Sequence, residues 1–89
     1  MLFGNIKIKD VKIELGALVK TLRKRDKLSQ QELGDLLDLS RITIQNLEGG
    51  KNFTIDTLLK VVQHFDLLTN VHQEISNYRT TQEDIEPLY

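Results

Sequence analysis

Cysteine is absent from this chain of 89 residues, and proline occurs only once. Without cysteine the protein has no disulfide framework, no thiolate metal site and no cysteine nucleophile. No apolar run approaches the roughly 20 residues that span a bilayer, and the charged start has no signal-peptide core. We therefore expect a soluble, cytoplasmic domain that holds no cofactor and lies in no membrane.

Catalytic patterns are also missing. His64 and His72 lie outside any metal-ligand spacing, and the carboxylates show no paired arrangement. The Gly49-Gly50 pair follows a predicted helix and so does not form a phosphate-binding loop between a strand and a helix. We expect neither an enzyme nor a metal protein.

The net charge of -1 hides an uneven distribution along the chain. Residues 1–30 carry eight basic and three acidic side chains, whereas residues 31–89 carry four basic and ten acidic ones. Such a molecule can turn a positive face toward phosphates while its negative face limits non-specific adhesion. A chain of this size also buries only about 60 to 65% of its unfolded surface, which favours stabilisation by dimerisation.

The first ten residues are predicted to be an N-terminal arm, with Leu2–Lys9 either a short strand or flexible. Asp10 is a candidate N-cap for the first helix. The buried face of that helix is predicted from apolar residues at three-and-four spacing: Leu15, Leu18, Val19 and Leu22.

A second helix is predicted from Ser29, with Glu32 completing a capping box and with Leu33, Leu36 and Leu37 facing inward. Asp38 tolerates the left-handed turn that ends this helix. Ser40 can cap the next helix after a steep crossing, for which Gly34 provides a small residue.

The third helix is expected at Ser40–Glu48, with Ile44 and Leu47 inward and the glycine pair at its end. Thr54 can cap a fourth helix. The apolar stripe of the fourth helix is predicted to be Ile55, Leu58, Leu59, Val62 and Phe65.

These four helices define a domain at residues 11–67, followed by a dimerisation segment at residues 68–79. The spacing of Leu68, Val71 and Ile75 suits a helix, whereas Thr69–His72 could equally pair as a strand. The acidic residues 80–89 are predicted to be a flexible tail.

The run from Leu28 to Lys51, LSQQELGDLLDLSRITIQNLEGGK, resembles the helix-turn-helix of the Cro and C1 phage-repressor family, also called the XRE family. With its flanking helices, the resemblance covers residues 14–67. It implies an all-α, lambda-repressor-like DNA-binding domain of four to five helices, with or without a short C-terminal strand for dimerisation. Gly34 replaces the usual alanine of the family, while Asp38 and Lys27 replace frequent glycines.

A helix in the major groove reaches base edges from outward positions near its N-terminus, which here are Ser40, Arg41, Ile42 and Gln45. Arg41 can donate to guanine and Gln45 can pair with adenine, whereas Ile42 is either an inconsequential exposed side chain or a contact for a thymine methyl group. The candidate phosphate-binding residues are donors around this helix: Ser29, Gln30, Thr43, Asn46, Lys51 and Asn52.

The resemblance also implies an ion pair between Arg23 and Glu48, and a brace from Gln30 to the recognition helix. Because Arg23 is then structural, the other basic residues of this region are candidates for attracting DNA at long range: Lys20, Lys24 and Lys27. The alternative is that these three lysines only form a solvated helix surface.

Two biological uses follow. In the first, a homodimer represses transcription from an inverted-repeat operator on double-stranded DNA, in association with the nucleoid. In the second, the chain is similar to antitoxins of the HipB type, which use a post-helical strand to dimerise and bind both operator DNA and a HipA-like kinase toxin. We expect the antitoxin role, with a stand-alone repressor as the alternative.

Overall fold

The computed structural model of the chain describes residues 2–85, with side chains from residue 4 to residue 83. A 3₁₀ helix at Leu2–Asn5 precedes five α-helices: α1 (Ile8–Arg25), α2 (Gln30–Leu37), α3 (Arg41–Glu48), α4 (Ile55–His64) and α5 (Leu68–Ile85). No strand occurs within residues 2–85. The all-α prediction is confirmed.

The first helix begins earlier than predicted. Lys7 has the extended backbone of an N-cap, and Asp10 is the third residue of α1, where its carboxylate accepts a hydrogen bond from the Lys7 backbone N–H at 2.9 Å. The predicted cap at Asp10 is therefore wrong, although Asp10 does stabilise this helix start. The strand alternative for Leu2–Lys9 is also wrong, because Leu2–Asn5 and Ile8 onward are helical.

Four helices end with one residue in the left-handed conformation. These residues are Lys27, Asp38, Gly50 and Asp66, with φ between 58° and 73°. After each of them, the next backbone N–H donates to a carbonyl five residues earlier, as Leu28 does to Arg23 at 3.1 Å. This pairing satisfies carbonyls that the helix end would leave free. The predicted turn at Asp38 is confirmed.

The core is formed by residues from α1 to α4: Val19, Leu33, Ile44, Leu47, Val61 and Phe65. Three residues predicted to face inward are exposed instead: Leu18, Leu36 and Ile55. In α4 the buried positions are Thr57 and Val61, with Phe65 directly after the helix, and Ile55 lies on the opposite side of the helix. The sequence prediction assigned too wide an arc of α1, α2 and α4 to the core, whereas the predicted inward residues of α3, Ile44 and Leu47, are both buried.

The segment after α4 is one helix, α5, which packs against α4. The strand alternative for residues 68–79 is wrong, because this whole segment is helical; Leu68 and Val71 are half-buried. The predicted loose tail is also wrong for residues 80–85, which continue the same helix. Residues 86–89 of that predicted tail lie outside the described residues.

Candidate nucleic-acid interface

Helix α3 is held by one buried face and presents the opposite face to solvent. Ile44 and Leu47 are fully buried. The predicted base-reading residues, Ser40, Arg41, Ile42 and Gln45, are all exposed at or near the start of this helix. Ile42 leaves 53% of its surface exposed although it is apolar.

The turn before α3 is tight enough to require a glycine at position 34. A Cβ atom on Gly34 would lie 2.6 Å from the Leu39 carbonyl oxygen, which is far inside van der Waals contact. Asp38 supplies the left-handed residue of the turn. The predicted need for a small residue at position 34 is therefore confirmed, because α2 packs closely against the turn that leads into α3.

Ser40 caps α3, as predicted, because its Oγ accepts a hydrogen bond from the Thr43 backbone N–H at 3.0 Å. The hydroxyl groups of Ser40 and Thr43 also lie 2.9 Å apart. Each hydroxyl is therefore oriented by the other at the N-terminus of α3, where the positive end of the helix dipole attracts anions.

Gly16 is a positioning residue that sequence reasoning missed. A Cβ atom on this residue would lie 2.5 Å from the carbonyl oxygens of both Leu47 and Glu48. Helix α1 therefore touches the last turn of α3 backbone to backbone. A glycine within an otherwise regular helical pattern is a signal that could have indicated this contact.

A hydrogen-bonded cluster joins α1, α2 and α3. Arg23 donates to Glu48 through Nε (2.6 Å to Oε2) and Nη2 (2.9 Å to Oε1), and through Nη1 to the Leu28 carbonyl at 2.8 Å. Gln30 Nε2 donates to Glu48 Oε1 at 3.1 Å. The pair that the resemblance implies is present, and Gln30 reaches the end of α3 as the same resemblance implies.

The cluster keeps both ionisable groups charged. Burial is the largest influence on the pKa of Glu48 and raises it, but hydrogen bonds from Arg23 and Gln30 and the charges of Arg23 and Lys20 together lower it below its ordinary value. The pKa of Arg23 is raised, chiefly by its hydrogen bond to Glu48 and despite its burial. The ion pair therefore stays charged at neutral pH and supports the C-terminal end of α3.

The start of α2 is occupied by a capping box, as predicted from Ser29 and Glu32. Ser29 Oγ accepts from the Glu32 backbone N–H at 3.0 Å, and Glu32 Oε1 accepts from the Ser29 backbone N–H at 2.7 Å. The carboxylate also adds negative charge at this helix end. Phosphate binding here would depend on the backbone N–H groups of Gln30 and Gln31, since the capping box uses those of Ser29 and Glu32.

The loop after α3 carries two predicted phosphate-binding residues, Lys51 and Asn52, and both are exposed. Lys12 Nζ donates to Asn52 Oδ1 at 2.6 Å, which ties this loop to α1. The backbone N–H of Lys51 donates to the backbone carbonyl of Asn46. Asn46, another predicted phosphate-binding residue, is half-buried. Sequence reasoning missed Lys12, because no spacing rule links residues 40 positions apart.

The remaining cations of the N-terminal third lie at the surface. Lys20, Lys24 and Lys27 are exposed on or just after α1. Arg25 is exposed as well, but it forms an ion pair with Asp26 at 3.0 Å.

Within residues 4–83 no cluster of histidine and acidic side chains is arranged to hold a metal ion. No helix among the described residues has the length and apolar character to cross a membrane.

An open depression of about 330 Å³ is lined by Leu68, Thr69 and His72 at the start of α5.

Comparison with protein families shows a match to the helix-turn-helix family HTH_3, whose model aligns with residues 19–69, more than half of the chain. The matched region runs from the middle of α1 to the start of α5 and contains the whole of α2, α3 and α4. A search of curated proteins finds no match.

Proposed function

The chain belongs to the Cro/C1-type helix-turn-helix family of DNA-binding transcription regulators, and from this premise we propose that it represses transcription as a homodimer on an inverted-repeat operator. Helix α3 is the recognition helix of this proposal.

The observation that carries the proposal is the chemistry of the exposed face of α3. A guanidinium, an aliphatic group and a primary amide stand together there, on Arg41, Ile42 and Gln45. Acidic residues, which would repel phosphate, are absent from residues 40–47. The first acidic residue is Glu48, whose charge is neutralised by Arg23.

Each exposed side chain then has a separate task in the major groove. Arg41 donates two hydrogen bonds to a guanine, and Gln45 pairs with the N6 and N7 atoms of an adenine. Ile42 packs against a thymine methyl group, which explains an apolar residue at an exposed position. Ser40 contributes a hydroxyl group at the edge of the same surface.

Phosphate contacts on both sides of α3 set the register of the protein on DNA. We assign these contacts to Ser29, Gln30, Thr43, Asn46, Lys51 and Asn52. Lys12 joins this set because its ammonium group lies 2.6 Å from Asn52 Oδ1. Lys20, Lys24 and Lys27 act at longer range by raising the association rate.

Dimerisation follows from the small size of the reading surface. Helix α3 has eight residues, which is about 12 Å of helix. A surface of this length contacts only a few base pairs, so two copies on half-sites about one helical turn apart supply the specificity of an operator.

The proposal is tested by selecting binding sites from a random duplex pool, then measuring affinities for the selected and scrambled duplexes. We expect a palindromic consensus that is bound at two protein chains per duplex. Arg41→Ala and Gln45→Ala should each reduce the ratio of specific to scrambled affinity about 5- to 150-fold, since one bidentate base contact contributes about 1 to 3 kcal/mol. Gln63→Ala, on the exposed face of α4, is the matched control. Selection of no consensus would contradict the proposal.

An antitoxin role stays a prediction. It rested on a dimerisation strand after α4 and on an acidic tail that ends in an aromatic residue. Residues 68–85 are helical instead of a strand, and the end of that tail lies outside the described residues. The stand-alone repressor is therefore the use that the fold favours. Co-purification of a kinase-like protein, encoded by a neighbouring reading frame, with the tagged chain would establish the antitoxin role instead.

A further inference from the structure

The first half of α1 lies along the chain that leaves α3. A Cβ atom on Gly16 would lie 2.5 Å from carbonyl oxygens in the last turn of α3, and one on Gly50 would lie 3.0 Å from Ile13 Cγ1. The next contact in this direction is the hydrogen bond from Lys12 Nζ to Asn52 Oδ1, at 2.6 Å. The contacts move back along α1 as they move forward from the end of α3, so the two segments are antiparallel neighbours.

Gly50 holds the loop after α3 close to α1. Its φ of 73° lies in the left-handed region, and a Cβ atom there would lie 3.2 Å from Ile13 Cα and 3.3 Å from Ile13 N. Glycine avoids both the strained conformation and the crowding. The loop is therefore fixed against α1 two residues before Asn52, which limits where the Asn52 side chain can lie relative to Lys12.

The hydrogen bond between Lys12 and Asn52 sets the orientation of the amide. A lysine ammonium donates hydrogen bonds and accepts none, so the Asn52 atom that faces it must be the carbonyl oxygen. Both N–H groups of the amide are then left to donate elsewhere. Within residues 4–83 neither of them donates a hydrogen bond, and Asn52 is exposed.

Lys12 keeps its positive charge available to an anion. Its partner is a neutral amide, whereas the arginines that form ion pairs among the described residues, Arg23, Arg25 and Arg79, each bind a carboxylate. The ammonium has three N–H donors, of which one binds Asn52. Two donors of Lys12 and two donors of Asn52 therefore remain close together at the surface.

We infer that Lys12 and Asn52 form a clamp that binds one phosphate group of the DNA backbone, and that Lys12 positions the amide of Asn52 for this contact. The inference rests on the proposed function and deepens it, because it assigns the two residues to the same phosphate and makes one depend on the other. The ammonium neutralises the charge of the phosphate and donates to one of its oxygens. The amide donates to the other free oxygen.

The place of the pair favours a backbone phosphate as the anion. Asn52 follows the last residue of α3 by four positions, and the exposed Lys51 stands next to it. When α3 lies in the major groove, the loop that follows it meets the sugar-phosphate strand at the edge of the groove. Lys12 lies before residues 19–69, so the family match does not assign it.

The direct test replaces single phosphates of the selected operator by uncharged methylphosphonates, one position at a time, and measures the affinity of each duplex. The unmodified chain should bind about tenfold more weakly when the clamped phosphate is replaced, since a hydrogen bond to a charged group is lost. Lys12→Met and Asn52→Ala should both become insensitive to replacement at that one position in each half-site. Loss of sensitivity at two different positions, or at none, would overturn the clamp.

Salt dependence and a double variant test the positioning role of Lys12. Lys12→Met removes a cation, so the slope of log affinity against log salt should become shallower by about 0.9, whereas Asn52→Ala removes a neutral donor and should keep the slope. The double variant should bind at most about twofold more weakly than Lys12→Met alone, because the amide is already unpositioned in that variant. Two independent, fully additive losses would contradict the positioning role. Lys60→Met, on the exposed side of α4, is the charge-matched control.

Asn52→Asp separates the clamp from a tether that only holds the loop. The carboxylate still accepts from Lys12 but cannot donate to phosphate, so urea unfolding should show no loss of stability while affinity for every duplex falls. Unchanged DNA affinity in this variant would make the pair a tether.

The clamp and the proposed function fail in different ways. If the Lys12 and Asn52 variants bind like the unmodified chain while Arg41→Ala still alters sequence preference, only the clamp is overturned. If no consensus is selected but Lys12→Met still makes the salt slope shallower on a random duplex, only the proposed function is contradicted.

Discussion

Arg23 and Glu48 form a buried, two-point ion pair between α1 and the last residue of α3. Their side chains are only 9% and 4% exposed. Because Gln30 donates to the same carboxylate, one residue of α3 is held by two other helices. Helix α3 is thereby fixed at its C-terminal end, while residues 40–42 at its N-terminal end are exposed to solvent.

Removing one partner of this pair should strongly destabilise the protein. Arg23→Ala leaves the Glu48 carboxylate buried with Gln30 as its remaining side-chain donor, and such a loss costs about 3 to 5 kcal/mol. Arg25→Ala is the matched control, because the exposed Arg25–Asp26 pair contributes at most about 1 kcal/mol. Urea unfolding monitored by circular dichroism measures both changes. Equal losses for the two variants would contradict a structural role specific to Arg23.

The same pair makes stability depend on pH in acid. The folded chain lowers the pKa of Glu48 below its ordinary value of 4.5, so the unfolded state binds the proton more readily. The resulting stabilisation is complete above about pH 4.5 and is lost as the pH falls through the folded-state pKa. Urea midpoints measured from pH 7 to pH 2.5 should therefore decline, and Glu48→Gln should decline less steeply from a lower starting value. An identical slope for the variant would show that other carboxylates dominate.

Gly16→Ala should destabilise the domain although alanine is the better helix former. Its Cβ would meet two carbonyl oxygens of α3 at 2.5 Å, and such overpacking costs about 1 to 3 kcal/mol. The α1 and α3 backbones would have to separate, so DNA affinity should fall as well. Gly4→Ala is the control, since open space surrounds that position. Thermal unfolding of both variants provides the comparison.

Lys27→Gly should stabilise the protein. Lys27 ends α1 with φ at 60°, a conformation that costs a non-glycine residue about 1 to 2 kcal/mol. Glycine has more conformational freedom than lysine in the unfolded state, and losing that freedom on folding offsets about 0.5 to 1 kcal/mol of the relieved strain. We expect a net increase of up to about 1.5 kcal/mol in the unfolding free energy. Lys24→Gly, inside α1, should decrease stability by a similar amount.

Local signals in the sequence predicted most of the helical framework. The caps at Ser29, Ser40 and Thr54 depend on side chains within three residues of the amide that they bind, so a short window contains the complete interaction. The left-handed residue at Asp38 is equally local. For the same reason, the position of α3 in the chain was predictable to within one residue.

Features that depend on distant parts of the chain were not predictable in this way. Gly16 is buried because α3 lies against it, and Leu18 is exposed because it lies on the opposite face of α1. The contact between Lys12 and Asn52 has no local signature. The choice between helix and strand at residues 68–79 was open because the spacing of Leu68, Val71 and Ile75 fits a helix while the short stretch Thr69–His72 also fits a strand.

Lys51→Ala should weaken DNA binding by a similar factor for every sequence. An exposed lysine in the loop after α3 is suited to a phosphate, and a phosphate contact carries no sequence information. Losing one such contact removes one released counterion, so the slope of log affinity against log salt should become shallower by about 0.9 per lost contact. Titrations of operator and scrambled duplexes at several salt concentrations measure both effects.

Lys60→Ala, on the exposed side of α4, is the charge-matched control and should leave the slope unchanged. A Lys51 variant with the original slope would remove this residue from the interface, whereas one that weakens operator binding alone would make Lys51 a base-reading residue.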